Sequence, residues 1–192
     1  MKIFLSLLVI LITFTACNNK KNIHAGKPNL DSTKFYPLKT FFNEQIVDVD
    51  LGAFPIYQIK ELNGKRDSFS ISKEIFKLYA TIFLQKDISN PLLQPNFTES
   101  VFRDLSTKSY TLNYRAKTTE EPIQNIDILL DENTNLVKRV FIRTELQHLD
   151  TSIVEQCNWK ANKSFQINRF SKTSKGYVSN ELNYISWNDR KK

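Results

Sequence analysis

Glycine is nearly missing from this sequence, with four residues in 192. Loops that cradle phosphate need glycine where backbone approaches the ligand with no Cβ in the way. Four dispersed glycines exclude them. Histidine is as scarce, at His24 and His148 alone. Cysteine stops at Cys17 and Cys157, so no disulfide framework exists and the one bridge that can be drawn joins those two. Zinc needs several nitrogen or sulfur ligands converging, and neither H-E-x-x-H nor C-x-x-C occurs. No metal and no cofactor are expected. Nucleophilic hydrolysis needs an activated serine or cysteine beside a base. There is no G-x-S-x-G elbow, His24 falls in a polar, aperiodic stretch, and a Cys157–His148 pair would rely on a histidine predicted at a strand end. No catalytic residue is assigned.

Two acidic turns imitate a calcium loop without completing it. Asp131, Asn133 and Asn135 copy its first three ligand positions, but Leu136 replaces the invariant glycine and Ile142 the bidentate glutamate. Asp48 and Asp50 fail in the same way, with Ala53 and Ile59 there. Both read as turns. Asp127 and Asp131 share a strand face roughly 13 Å apart, too far for a glycosidase pair, and Glu120-Glu121 reads as a solvated hairpin tip.

Only one long apolar run is present, and it opens the chain. Lys2 precedes Ile3 to Phe14, and Thr15 and Ala16 supply a small-residue ending, the layout of a secretory signal. The run falls short of the roughly 20 apolar residues of a spanning helix. Phe14-Thr15-Ala16-Cys17 resembles the lipobox of bacterial lipoproteins, with Phe14 where that family most often has leucine. The resemblance covers about the first tenth of the chain. It implies cleavage between Ala16 and Cys17 and lipidation of Cys17. The alternative is an ordinary secretory signal with Cys17 free or bridged. Each buried methylene contributes about 0.8 kcal/mol, so two or more acyl chains hold a protein to a bilayer that one holds only marginally. The expected partner is therefore a lipid bilayer, reached through acylated Cys17. By the sorting pattern of that family, Asn18 in place of aspartate implies the outer membrane, and the lack of acidic residues just after the cysteine implies the periplasmic face.

Net charge is +7, one less without Lys2. The basic residues are scattered, with no Lys/Arg stripe interleaved with aromatics, so no nucleic-acid partner is expected. Residues 17–34 comprise the cysteine and a polar tether with Gly26 and Pro28. Residues 35–192 read as a single globular domain, large enough for a core.

Periodicity predicts a helix over 37–49, whose apolar face is Leu38, Phe41, Phe42, Ile46 and Val49 with Gln45 among them. A strand over 56–62 runs into Asn63-Gly64, a type I′ hairpin signal, and returns through Ser68 to Ile71. Ser72 caps a helix over 73–85, with Ile75, Leu78, Tyr79, Ile82 and Phe83 as its expected stripe. Residues 98–104 fit a short helix or a strand. Period-two strands follow at 109–117, 124–131, 136–147, 151–160, 164–172 and 178–188, apolar on one face and polar on the other. The expected class is α+β: one or two N-terminal helices on one face of a curved antiparallel β-meander of about five to seven strands. The chain generally resembles small envelope lipoproteins with no assigned activity. The leading expectation is a non-enzymatic, membrane-anchored envelope protein that binds or assembles with an envelope protein or glycan. The alternatives are a periplasmic hydrolase using carboxylates and an inhibitor or lipid carrier. Exposed aromatics of the last strands, with Trp159, Tyr184 and Trp187 as candidates, would contact the ligand.

Overall fold

A computed structural model describes residues 35–188. The expected leader 1–16 with its Ala16–Cys17 cleavage point, the expected tether to residue 34, and His24 lie outside the described residues. The element order is α1 (Leu38–Leu51), β1 (Tyr57–Leu62), β2 (Lys65–Ser70), α2 (Lys73–Leu84), a 3-10 turn (Gln94–Asn96), then β3 (Phe97–Asp104), β4 (Ser109–Ala116), β5 (Ile123–Asp131), β6 (Val137–His148), β7 (Thr151–Lys160), β8 (Ser164–Thr173) and β9 (Val178–Ser186). The strands form one open antiparallel sheet in the order β2-β1-β9-β8-β7-β6-β5-β4-β3. The class is α+β, as expected.

Nine strands exceed the five to seven anticipated. The segment left ambiguous, 98–104, lies in a strand, β3. The β1–β2 hairpin adds two more because β1 hydrogen-bonds to β9 across most of the chain's length. Asn63 (φ 49°) and Gly64 (φ 82°) both take the left-handed conformation that a type I′ turn demands. Asn63 also clamps this hairpin to the far strand, because Asn180 N donates to its Oδ1 at 2.9 Å.

Helix α1 buries Leu38, Phe41, Phe42, Gln45 and Val49, the predicted face. It runs two residues past Val49, to Leu51, before Gly52 ends it. Helix α2 starts where predicted, with the Ser72 hydroxyl accepting from Ile75 N at 3.4 Å. Its buried stripe is Phe76, Ala80 and Phe83, whereas Ile75 and Leu78 lie exposed. The expected stripe is thus rotated. Both sets satisfy helical spacing, but Phe76 and Phe83 put rings against the sheet while Ala80 lets the backbone approach.

Alternation along the strands sorts residues onto two faces. On the helix-bearing face, Leu112, Ile128, Val140, Trp159, Phe165 and Ile185 form one continuous row of register partners, all buried. Phe42 and Phe83 pack on Trp159 with centroids 5.1 and 4.8 Å away, and Phe76 lies 5.5 Å from Phe165. Trp159 itself stacks on Phe165 at 4.8 Å. Both helices therefore close the same face. The other face carries Asn113, Asp127, Phe141, Asn158, Gln166 and Tyr184, all half-buried. None of the helices in the described residues is long and apolar enough to cross a membrane.

Candidate functional site

A cleft of about 540 Å³ opens where α1 meets the β5–β6 and β7–β8 turns, a size in the range of small-molecule sites. Helical spacing puts Thr40, Glu44 and Asp48 along its rim, one turn apart, with Asn135 and Asn162 facing them from the turns. The i, i+4 relation of Glu44 and Asp48 sets their Cβ atoms about 5–6 Å apart. Tyr36, Phe41, Val137 and Ala161 supply apolar wall. Among the lining residues are two carboxylates and no lysine or arginine, so an acidic hollow sits in a chain of net charge +7.

The base of the cleft is tied together by hydrogen bonds. Gln45 Oε1 accepts from Asn162 N at 2.6 Å and from the Trp159 indole N–H at 3.5 Å, and its Nε2 donates to Asn162 Oδ1 at 2.8 Å. Asn162 holds φ 58° in the β7–β8 turn, a conformation asparagine tolerates better than most residues. One amide on α1 thus fixes a turn, an aromatic core residue and the cleft wall together. Burial and the nearby Glu44 carboxylate push the Tyr36 phenol up to about 12.

A second polar group interrupts the helix-bearing face. One register row beyond Cys157 and Ile167, Glu155 stands opposite Thr144 and Arg169. Its carboxylate accepts from Lys86 Nζ at 2.8 Å and from Arg169 Nη2 at 2.6 Å. Burial works to raise this carboxyl, but the two cations outweigh it and hold it below the ordinary glutamate value. All the carboxylate oxygens are engaged, so the group fastens Lys86, just after α2, onto the sheet.

The sequence-derived candidates fall in different places. Trp159 is 0% exposed and Trp187 6%, both inside the aromatic core, where they fill space between helices and sheet. Tyr184 is half-buried on the opposite face. Cys157 is a free, buried thiol, and burial drives its pKa far up. It pairs across the sheet with Ile142, six residues along β6 from His148, which is about 20 Å at strand rise. No nucleophile–base pair forms from these two. Asp131 accepts from Asn133 N and Thr134 N at 3.0 and 3.1 Å and meets Lys138 at 3.0 Å, which together hold it down to about 2. That carboxylate organises a turn. Asp127 is taken up by the amides of Asn113 and Asn125. Among the described residues, no group of three or more His, Cys, Asp or Glu is placed to hold a metal ion.

Sequence reasoning missed the cleft because its lining comes from three separated segments. The signal present was Gln45, an amide on an otherwise apolar helical face, which must find a partner when buried. No described protein family, curated protein or solved structure matches this chain.

Proposed function

We propose that the protein is a lipid-anchored envelope lipoprotein that binds a ligand without transforming it. The expected anchor is acylated Cys17, and the expected address is the periplasmic face of the outer membrane. The ligand is a small polyhydroxylated or amine-bearing molecule, such as a neutral or amino-sugar glycan. One observation carries this reading: the α1 cleft offers the Asn43 and Asn135 amides and two carboxylates over an apolar wall, with no cation among its lining residues. Side-chain amides and carboxylates recognise hydroxyl and ammonium groups by hydrogen bonding, while the acidic lining disfavours anions.

The spacing of Glu44 and Asp48 favours a second reading, a hydrolase using this carboxylate pair. Separations of about 5–10 Å suit glycoside chemistry. Against it, Asp48 is exposed and Glu44 only half-buried, whereas a general acid needs an environment that withdraws one carboxyl from water. A lipid carrier is supported less, because Trp159, Phe165 and Phe83 fill the space between helices and sheet that an acyl chain would need.

Titrating the protein with N-acetylglucosamine oligosaccharides, glucosamine and an anionic oligosaccharide, read by amide chemical shifts, tests the binding reading. Shifts centred on Asn43, Asn135 and Asn162 with the first two probes, lost in Asp48→Ala, are expected. Shifts absent with every probe would sink it, and cleavage of the oligosaccharide would transfer the assignment to the hydrolase. Mass spectrometry of the mature N-terminal peptide tests the anchor separately. An unmodified Cys17 thiol there, or another start site, removes the lipoprotein reading.

A further inference from the structure

The sheet is open, so its two outer strands, β2 and β3, each present a row of backbone groups with no partner among the described residues. They are not equivalent. Along β3, Lys117 N donates to Asn96 O at 2.9 Å, continuing by one pair the register that begins at Phe97 opposite Ala116. Hydrogen-bonded pairs alternate along an antiparallel ladder. Thr98, Ser100, Phe102 and Asp104 therefore turn their N–H and C=O groups toward β4, and Glu99, Val101 and Arg103 turn theirs to the free edge.

The same three residues share the helix-bearing face with Phe97, and all are exposed. They read acid, apolar, base, symmetrically about Val101. If a second β3 lies antiparallel against the first, only one register puts Val101 opposite Val101. That register also puts Glu99 opposite Arg103 and Arg103 opposite Glu99, and it places every outward backbone group directly across from another. A shift of two residues either way sets Glu99 against Val101 or Val101 against Arg103. Charge and hydrogen bonding select the same alignment. Val101 is 50% exposed and Phe102 66%, more apolar surface than an edge kept apart from other strands ordinarily shows.

The other edge lacks this self-complementarity. Ile71 N donates to Ile56 O, so Arg66, Ser68 and Ser70 face outward on β2. Its two registers near the middle of the strand place Asp67 opposite Asp67 or opposite Phe69. Joining β2 of one copy to β3 of another would leave both ends open and grow a filament, whereas β3 on β3 closes at two.

We propose that the chain forms a two-fold homodimer through antiparallel pairing of β3 with β3 of a second copy, centred on Val101 and fixed by two reciprocal Glu99–Arg103 pairs. The two sheets then run on as one. Arg103 keeps its place over the Tyr110 ring, 5.7 Å from the centroid, while Glu132, its present ion-pair partner, stands beside the junction. Dimerisation would set two clefts and two anchors on one particle, but it does not depend on what either binds.

The register makes a geometric prediction. Directly opposed, hydrogen-bonded residues have Cα atoms about 5.5 Å apart, within disulfide reach. In the full-length chain in intact cells, mild oxidation of Val101→Cys should give a disulfide-linked dimer. Phe102→Cys, more exposed but two residues out of register, should give about a tenth as much. Adding Glu99→Arg to Val101→Cys should cut the product to about a tenth, since each opposed pair changes from attraction to repulsion. Glu99→Arg with Arg103→Glu should restore it, a rescue that misfolding cannot mimic. The proposal is overturned by equal linkage at 101 and 102, by no linkage at 101, or by linkage indifferent to Glu99→Arg. Linkage of residue 101 to a different protein also overturns it, since the added strand then comes from another chain.

Discussion

Glu155 gives the most direct measure of how the helices are held to the sheet. Glu155→Ala removes the carboxylate that binds Lys86 Nζ at 2.8 Å and Arg169 Nη2 at 2.6 Å. The Lys86 side chain is 12% exposed, so its ammonium is left inside the fold without a counter-charge. Removing one member of a buried pair costs about 3–5 kcal/mol. Arg169 is 42% exposed, so it recovers water and adds little. A loss of about 3–4 kcal/mol follows, or roughly 10 °C in Tm at about 2–4 °C per kcal/mol for a domain of this size. Urea titrations of the protein followed by far-UV circular dichroism would measure it. Lys86→Met with Glu155→Leu should recover most of the loss, because the penalty comes from an unpaired charge rather than from missing volume. The acid dependence has a definite sign. Burial raises the Glu155 carboxyl, Lys86 and Arg169 lower it by more, and the folded value lies below that of an ordinary glutamate. Its contribution is therefore complete above about pH 4.5 and fades as the pH falls through the folded value. The gap between wild type and Glu155→Ala should narrow in acid. A loss below about 1 kcal/mol, or a gap that acid leaves unchanged, would refute the reasoning.

Trp159→Ala should destabilise by about 3–5 kcal/mol, since the indole is fully buried and packs on Phe42, Phe83 and Phe165; retention of wild-type stability in the same titration would contradict that packing. Gln45→Ala should cost about 1–3 kcal/mol by stranding the Asn162 N–H and the Trp159 indole N–H, and hydrogen exchange at Asn162 should quicken while β4, paired on both sides, stays protected. Gly64→Ala, at φ 82°, should lose about 1 kcal/mol, readable as a lower urea midpoint. Cys157 should resist thiol reagents until the fold opens, because its thiol is buried and its pKa lies far above normal; rapid labelling of native protein would be inconsistent with its placement.

Features decided by near neighbours were legible in the sequence. Asn63-Gly64 announces its own turn because φ must be positive twice, and Ser72 announces a helix start because its hydroxyl takes an orphan N–H. The strand over Val137–His148 showed through its alternation. Features decided by distant partners were not. Two stripes on α2 met the helical period, and only the sheet beneath chose Phe76 and Phe83 over Ile75 and Leu78. Residues 97–104 gained strand character from β4, since its own sequence alternates weakly. Trp159 and Trp187 look like ligand aromatics when counted along the last strands, yet α1 and α2 fold over the face that carries them. The β1–β9 pairing joins residues more than a hundred positions apart and leaves no local mark. The cleft was invisible for the same reason.

The placement of the helices also decides where recognition can occur. Two helices cannot cover nine strands, and rings from α1 and α2 concentrate on Trp159, Phe165 and Trp187. Away from that centre the helix-bearing face turns polar, through Thr144, Glu155 and Arg169 in one direction and the Gln45–Asn162 contact in another. The first region uses its charges on one another. The second fixes a turn with one amide and leaves Glu44, Asp48, Asn43 and Asn135 lining open space. Side chains whose hydrogen-bonding groups are consumed by the fold cannot be offered to a ligand without breaking it. Glu44, Asp48, Asn43 and Asn135 can be offered at no such cost, which is why the binding proposal rests on the cleft rather than on the larger charged group around Glu155.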